Sequence, residues 1–363
     1  MNDDPRSQMR AALAEIAASV SAAVQADPWP ARLEPAVLRE AVLAYPYRGG
    51  KALRPALLTW SCQALGGDAA SALPAAVAVE LFHTWTLVHD DIIDADDTRR
   101  GQPSAHRLAA DLAASTYRVD TARAERFGEH MAILAGDIQQ AWANAWLMRL
   151  RQRGVAADVV LAILDRLNSW INPDLISGEA VDVEFELRPA DAVDAATIES
   201  MLHRKTAILL GFAAEAGAMI ALGTADHDDP RVSALREFAI DAGIAFQLRD
   251  DWLGLYGDES RLGKPVGSDL RSGKRTWLFA LGLARLSGTD YDRLDAAIGD
   301  PELSDRAVAD IARLLRDCGA EAEIDRLAAG RIEGALARLT DLPASPARSH
   351  LQALATYLYD RDH

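Results

Sequence analysis

The sequence predicts an all-α protein, on three observations. Apolar residues recur at three- and four-residue spacing over residues 77–94, 131–151 and 234–255, which is the period of a helix buried along one face. Alanine and leucine dominate, and no run of short alternating segments with hairpin turns interrupts them. Breaks rich in Gly, Pro and Asp fall at residues 27–30, 45–50, 66–68, 96–103, 188–194, 223–230 and 257–273. They leave room for roughly ten to twelve helices of bundle length.

The elements follow in chain order. The start is polar and its first several residues are expected to fray, so the segment 1–30 is expected to be partly disordered at its start. Residues 107–127 are polar and irregular and are expected to form a partly mobile excursion. No repeat and no long biased linker divides the chain, so residues 1–363 read as one helical domain. Residues 1–10 lack the apolar stretch of a secretion signal, and the longest apolar segment, 207–223, is short for a bilayer and carries Glu215. The expectation is a cytoplasmic protein without a membrane span. Two cysteines, Cys62 and Cys318, cannot build a disulfide framework, which suits a reducing compartment. A net charge of −16 argues against nucleic acid as a partner. An anionic substrate would need a local cluster of cations.

Two acidic clusters carry the chemistry. Residues 80–94 read ELFHTWTLVHDDIID, which puts Asp90 and Asp94 one helical turn apart with Asp91 adjacent. Such crowded carboxylates repel one another unless a cation intervenes, and Mg²⁺ takes one or two carboxylates while keeping waters and phosphate oxygens. The plain alternative is a solvated acidic face. The apolar residues upstream place the carboxylates at the end of a buried helix, with His83 on their face. Downstream, Arg99 and Arg100 form a guanidinium pair suited to a diphosphate. Further on, Gln247, Asp250, Asp251 and Gly254 fall at i, i+3, i+4 and i+7, again on one face. Two such clusters build a metal site if they face each other across a bundle, and are unrelated surface patches if they do not. Lys51 and Arg54 stand one turn apart after Gly49-Gly50, without the spacing of a phosphate-binding P-loop. Lys264 and Lys274 lie in a glycine-rich basic loop, and Lys205-Thr206 precedes an apolar helix.

Taken in order, GGKALRP, the His83 helix ending in DDIID, DTRRG, AGD at residues 135–137, Lys205-Thr206, FQLRDD and GKPVGSDLRSGKRT resemble the trans-isoprenyl diphosphate synthases, or polyprenyl synthetases. The resemblance covers about residues 49–276. It implies an isoprenoid-synthase helical bundle around a central cavity, usually a homodimer, using Mg²⁺, three ions with bound diphosphate. Asp90, Asp91 and Asp94 would hold two ions and Asp250 a third, with Asp251 in support. Arg99, Lys205, Gln247 and Lys264 would meet the allylic diphosphate or the reacting carbons, with Thr206 and Lys274 beside them. Lys51, Arg54, His83 and Arg100 would bind isopentenyl diphosphate. Trp85 and Thr86, five and four residues before the first Asp, would set product length. The product implied is geranylgeranyl diphosphate ahead of farnesyl diphosphate. A class I terpene cyclase and a non-catalytic partner subunit are the weaker readings. Two departures stand out: Gly254 replaces a third Asp that many members carry, and Glu179 follows Gly178 where the family usually has Gln, with Asp182 beyond it.

Overall fold

A computed structural model describes residues 4–189, 192–257 and 265–360. The chain forms two compact units, the first made of Met1–Leu164, Ala213–Asp228 and Ser345–Ala347, the second of Asp165–Phe212, Asp229–Ala344 and Arg348–His363. Both are helical, as the apolar period requires.

The first unit contains α1 (Pro5–Gln25), α2 (Ala36–Arg48), α3 (Leu53–Ala64), α4 (Ala69–Ile93), α5 (Ala105–Tyr117), α6 (Thr121–Met148) and α7 (Ala157–Asp165). Helix α4 starts where Asp68 accepts a hydrogen bond from the Ser71 amide. It packs on α3, α5 and α6, burying Val77, Leu81, Phe82 and Val88. After it, β1 (Thr98–Arg99) and β2 (Gln102–Pro103) pair antiparallel, Arg99 opposite Gln102.

Helix α1 runs from Pro5, capped by Asp4, with Met9, Val20 and Val24 buried, and residues 1–3 lie outside the described residues. One expectation is corrected here. Residues 107–127 are helical in α5 and α6 apart from the link 118–120: Ala105, Ala109, Ala110 and Ala113 give α5 a small-residue face against α6 that hydropathy does not show.

The second unit contains α8 (Asn172–Phe185), α9 (Ala195–Leu202), the start of α10 (Ile208–Leu222), α11 (Pro230–Tyr256), α12 (Ser268–Ser272), α13 (Trp277–Arg285), α14 (Thr289–Ala297), α15 (Asp305–Asp317), α16 (Ala320–Arg338) and α17 (Pro346–Tyr359). Helices α11 and α16 pack along their length, and the buried Asp241 of α11 is held by Arg331 at 3.0 Å and Arg338 at 3.2 Å. A π-helical turn, His203–Ala207, joins α9 to α10. That junction makes Ala195–Leu222 one helical stretch, and by length and composition it and Ala69–Ile93 are each long and apolar enough to cross a membrane. Their most apolar windows are 72% and 67% buried within the protein, as core helices are.

Candidate active site

In the first unit the functional side chains collect at the end of α4 and around the two segments that meet it. Glu80, His83, Asp90 and Asp94 follow one helical face. Asp90 is half-buried and Asp94, the C-cap, is exposed. Asp91 differs: its side chain is fully buried, and both oxygens are engaged. Tyr45 of α2 donates its hydroxyl to one oxygen and Arg99 donates its guanidinium to the other. The Ala105 amide donates in turn to the Tyr45 oxygen at 3.1 Å. Burial and the neighbouring carboxylate push the Tyr45 phenol up, so it stays protonated and donates. Burial alone would lower Arg99, but the bond to Asp91 more than offsets it. Asp91 is thus placed apart from Asp90 and Asp94, as the anchor that returns the Arg99 hairpin to the helix.

Cations crowd the other side of this face. The Arg54 guanidinium is pushed down to about 10 by burial, with Glu80 and Asp90 opposing, and its buried Nε has no hydrogen-bond partner. Burial, then Arg54, Arg100 and Arg99, hold His83 well below the ordinary imidazole range, and its buried Nδ1 is likewise unpartnered. His83 is therefore neutral near pH 7. Glu80 lies among these groups, its carboxyl raised by burial against Arg54 and Arg100. Arg100, at φ +55°, donates to the Gly49 carbonyl. A Cβ on Gly50 would lie 2.8 Å from Arg100 Nη1 and 3.1 Å from Glu80 Oε1, so a side chain there would displace both. Lys51 is exposed beside them. Trp85 is buried, edge-on to Phe82 at 4.8 Å, while Thr86 is half-buried and donates to the His83 carbonyl at 2.8 Å.

In the second unit, Lys205 comes from the π-helical turn, a local widening frequent at functional positions. Its ammonium is 2.6 Å from Asp182 and 2.8 Å from Glu179, both on α8. Burial would lower Lys205, but these carboxylates raise it. Gly178 permits the approach, since a Cβ there would meet the Lys205 amide at 2.4 Å. Thr206 is half-buried next to it. On α11, Gln247 donates to Asp251 at 3.3 Å, and Lys274 lies 3.9 Å away. Burial pushes the Asp251 carboxyl up to about 6, with Lys274 pulling against it. Asp250 is half-buried one residue before. Lys264 lies outside the described residues.

Among the described residues no three His, Cys, Asp or Glu side chains form a ready metal shell. Mg²⁺ takes one or two carboxylates and completes its shell with waters and phosphate oxygens. The orphaned buried Nε donor of Arg54, with the unpartnered Nδ1 of His83 beside Arg54 and Arg100, fits a polyanion. Sequence reasoning found these residues but missed Tyr45 and Glu80. Tyr45 left no signal, since its partner is 46 residues away. Glu80 was visible three residues before His83.

The chain matches the family profile described as polyprenyl synthetase over residues 35–315. It is 34% identical over 315 residues to a short chain isoprenyl diphosphate synthase of Methanothermobacter thermautotrophicus, covering 87% of each chain. It superposes on the crystal structure of geranylgeranyl pyrophosphate synthetase from Pyrococcus horikoshii with a TM-score of 0.84 at 32% identity, covering 97% of this chain and 98% of that one. It also superposes on geranylgeranyl pyrophosphate synthase from Corynebacterium glutamicum complexed with isoprenyl diphosphate and magnesium, with a TM-score of 0.80 at 30% identity, covering 98% and 99%.

Proposed function

This chain belongs to the polyprenyl synthetase family, and from that premise we propose that it condenses isopentenyl diphosphate head-to-tail with an allylic diphosphate. The product is an all-trans short-chain prenyl diphosphate, geranylgeranyl diphosphate in the first instance. One observation carries the reading: the buried Arg54 Nε and His83 Nδ1 lack partners in a niche that also holds Arg100. A diphosphate supplies the missing acceptors.

In this reading Arg54, Arg100, Lys51 and neutral His83 hold isopentenyl diphosphate. Arg99, Lys205, Thr206, Gln247, Lys264 and Lys274 serve the allylic diphosphate. Asp90, Asp94 and Asp250 hold Mg²⁺, probed as three ions, with Asp251 in support. Asp91, whose oxygens are taken, positions Arg99 instead. Bound magnesium supplies the charge that lets the diphosphate leave. The cationic side chains add to that stabilisation as negative charge develops on the leaving oxygen. The isopentenyl double bond, held still by its own diphosphate, attacks the allylic cation, and proton loss to the released diphosphate completes the new alkene. No protein nucleophile is needed.

Trp85 and Thr86 are assigned to the limit on product length. A homodimer is part of the proposal, because α6 leaves Ile133 at 46% and Leu134 at 45% exposure, an apolar edge that a second copy would cover. A cytoplasmic location fits the free Cys62 and Cys318. The test is incubation of the purified chain with isopentenyl diphosphate and dimethylallyl, geranyl or farnesyl diphosphate, with and without Mg²⁺, sizing the products. The expected result is a Mg²⁺-dependent twenty-carbon product. A fifteen-carbon end point assigns farnesyl diphosphate synthesis. Turnover of an allylic diphosphate without isopentenyl diphosphate would make it a cyclase, and an inert isolated chain would make it a partner subunit.

A further inference from the structure

The Arg275 guanidinium makes one hydrogen bond among the described residues and leaves two buried nitrogens bare. Nη2 donates to the Arg188 carbonyl at 3.1 Å, while Nε and Nη1 have no partner. Buried donors are nearly always satisfied, so an arginine in this state is a poor way to stabilise a fold. An apolar side chain of similar length would leave nothing unsatisfied. Arg275 also differs from Arg54, whose bare Nε stands among other cations. Here the guanidinium is fixed by a backbone carbonyl before any ligand arrives.

The two segments joined by that bond both belong to the second acidic cluster. Along the chain, Arg275 stands between Lys274 and Thr276, which caps α13 by accepting from the Phe279 amide at 3.4 Å. The Lys274 amide donates to the Asp269 carbonyl at 3.0 Å, which ties the segment on its other side. Burial would lower the Lys274 ammonium, but Asp251 at 3.9 Å, then Asp269 and Asp182, raise it. Across the bond, Arg188 ends the turn that follows α8, its amide donating to the Phe185 carbonyl at 3.2 Å. Carbonyls at the end of a helix carry partial negative charge, which suits a cation. Earlier on the same helix stands Asp182, 2.6 Å from the Lys205 ammonium. One hydrogen bond therefore links the segment that carries Lys274 to the helix that holds Lys205.

We infer that Arg275 is a positioning residue of the allylic diphosphate site, fastening the Lys274 segment to the end of α8. The inference rests on the proposed role of Lys274 as a contact of that diphosphate. Arg275 does not touch the substrate; it acts through Lys274, whose place relative to Lys205 and Asp182 it fixes. Supporting groups of this kind decide how firmly a binding side chain is held. The bare Nε and Nη1 are what the reach to the Arg188 carbonyl leaves unsatisfied, so the residue serves placement and not stability.

The test is a cycle of Arg275→Met, Arg275→Lys, Lys274→Met, and Lys274→Met with Arg275→Met, against the unaltered chain. Arg275→Met should raise KM for the allylic diphosphate about tenfold, as misplacing a substrate-holding group does. KM for isopentenyl diphosphate should stay within about twofold. The melting temperature without ligand should hold or rise, because the change removes two unsatisfied buried donors. Arg275→Lys keeps an ammonium able to donate to the Arg188 carbonyl, and should bring the allylic KM back to within about threefold of the unaltered chain. Added to Lys274→Met, Arg275→Met should change nothing further, since a residue that acts through another is non-additive with it. A second readout needs no turnover. The rise in melting temperature on adding Mg²⁺ with inorganic diphosphate should shrink in Arg275→Met, and should be the same in Lys274→Met with or without the second change. An unchanged allylic KM in Arg275→Met, or a lower melting temperature with both KM values raised alike, would overturn the inference. Losses that multiply in the double variant would overturn it too, because the bare donors would then meet the diphosphate themselves. A chain that makes no prenyl product yet shows the non-additive shrinkage would overturn the proposed reaction and leave the role of Arg275 standing.

Discussion

The two acidic clusters treat a buried carboxylate in opposite ways. At the end of α4, Asp91 is fully matched, with a phenol on one oxygen and a guanidinium on the other. On α11, Asp251 meets an amide at 3.3 Å and an ammonium at 3.9 Å among the described residues, and burial raises its carboxyl to about 6. The cations show the reverse. In the first unit Arg54 keeps a buried Nε with no partner, whereas in the second Lys205 is gripped by two carboxylates. A buried charge that already has its partners is scaffolding, and one that lacks them is a receptor. By that rule the first unit is a fixed acid beside an open set of donors. The second is a fixed lysine beside a loosely held acid.

The largest test of this contrast removes the half-buried acids Asp90 and Asp250. Asp90→Ala and Asp250→Ala should each lower kcat by about a thousandfold, as losses of transition-state charge stabilisation do. Circular dichroism should be unchanged. Wild-type-like rates in either variant would sink the metal assignment. Next comes Arg54→Met, which takes away an unpartnered donor while keeping much of the apolar stem. It should raise KM for isopentenyl diphosphate by about a hundredfold, the equivalent of about 3 kcal/mol, and leave KM for the allylic substrate within twofold. Equal changes in both would mean that Arg54 supports the fold generally.

How much of this was legible in the sequence follows from the range of each interaction. Helix α4 and its carboxylates were legible because an apolar period of three and four runs straight into DDIID within one element. Helix α5 was not, because its buried face is alanine at 105, 109, 110 and 113, which carries almost no contrast against solvent-exposed alanine. The π-helical turn at Lys205 was also hidden. One extra residue in a turn leaves no periodic trace over so short a span. The partners of Asp91 were hidden for a related reason: adjacency to Asp90 makes it read as a ligand, and only the fold brings Tyr45 to it across 46 residues.

Asp91 gives the third test, this time on stability. Tyr45→Phe removes one donor from a fully buried carboxylate and should cost about 1–3 kcal/mol, the penalty of leaving such a group unsatisfied. A fall of several degrees in melting temperature is expected, with kcat reduced less than in Asp90→Ala. If Tyr45→Phe leaves the melting temperature unaltered while abolishing activity, the phenol acts on substrate and Asp91 is no scaffold.

The smallest effect is the one that separates grip from function at Lys205. Two carboxylates on a single ammonium leave that trio with a net charge of −1, so an approaching diphosphate meets a cation already overcompensated. Glu179→Gln keeps the shape, leaves Asp182 at 2.6 Å to hold the lysine, and brings the trio to neutrality. The Lys205 side chain is 24% exposed, so water screens part of the change and the gain is modest. The variant should lower KM for the allylic diphosphate about threefold, less than 1 kcal/mol, with KM for isopentenyl diphosphate unaltered. Raising salt should shrink the difference, since the effect is Coulombic and partly exposed. A higher allylic KM that persists in salt would show instead that Glu179 positions Lys205, and that this lysine needs both carboxylates to point its ammonium where the substrate arrives.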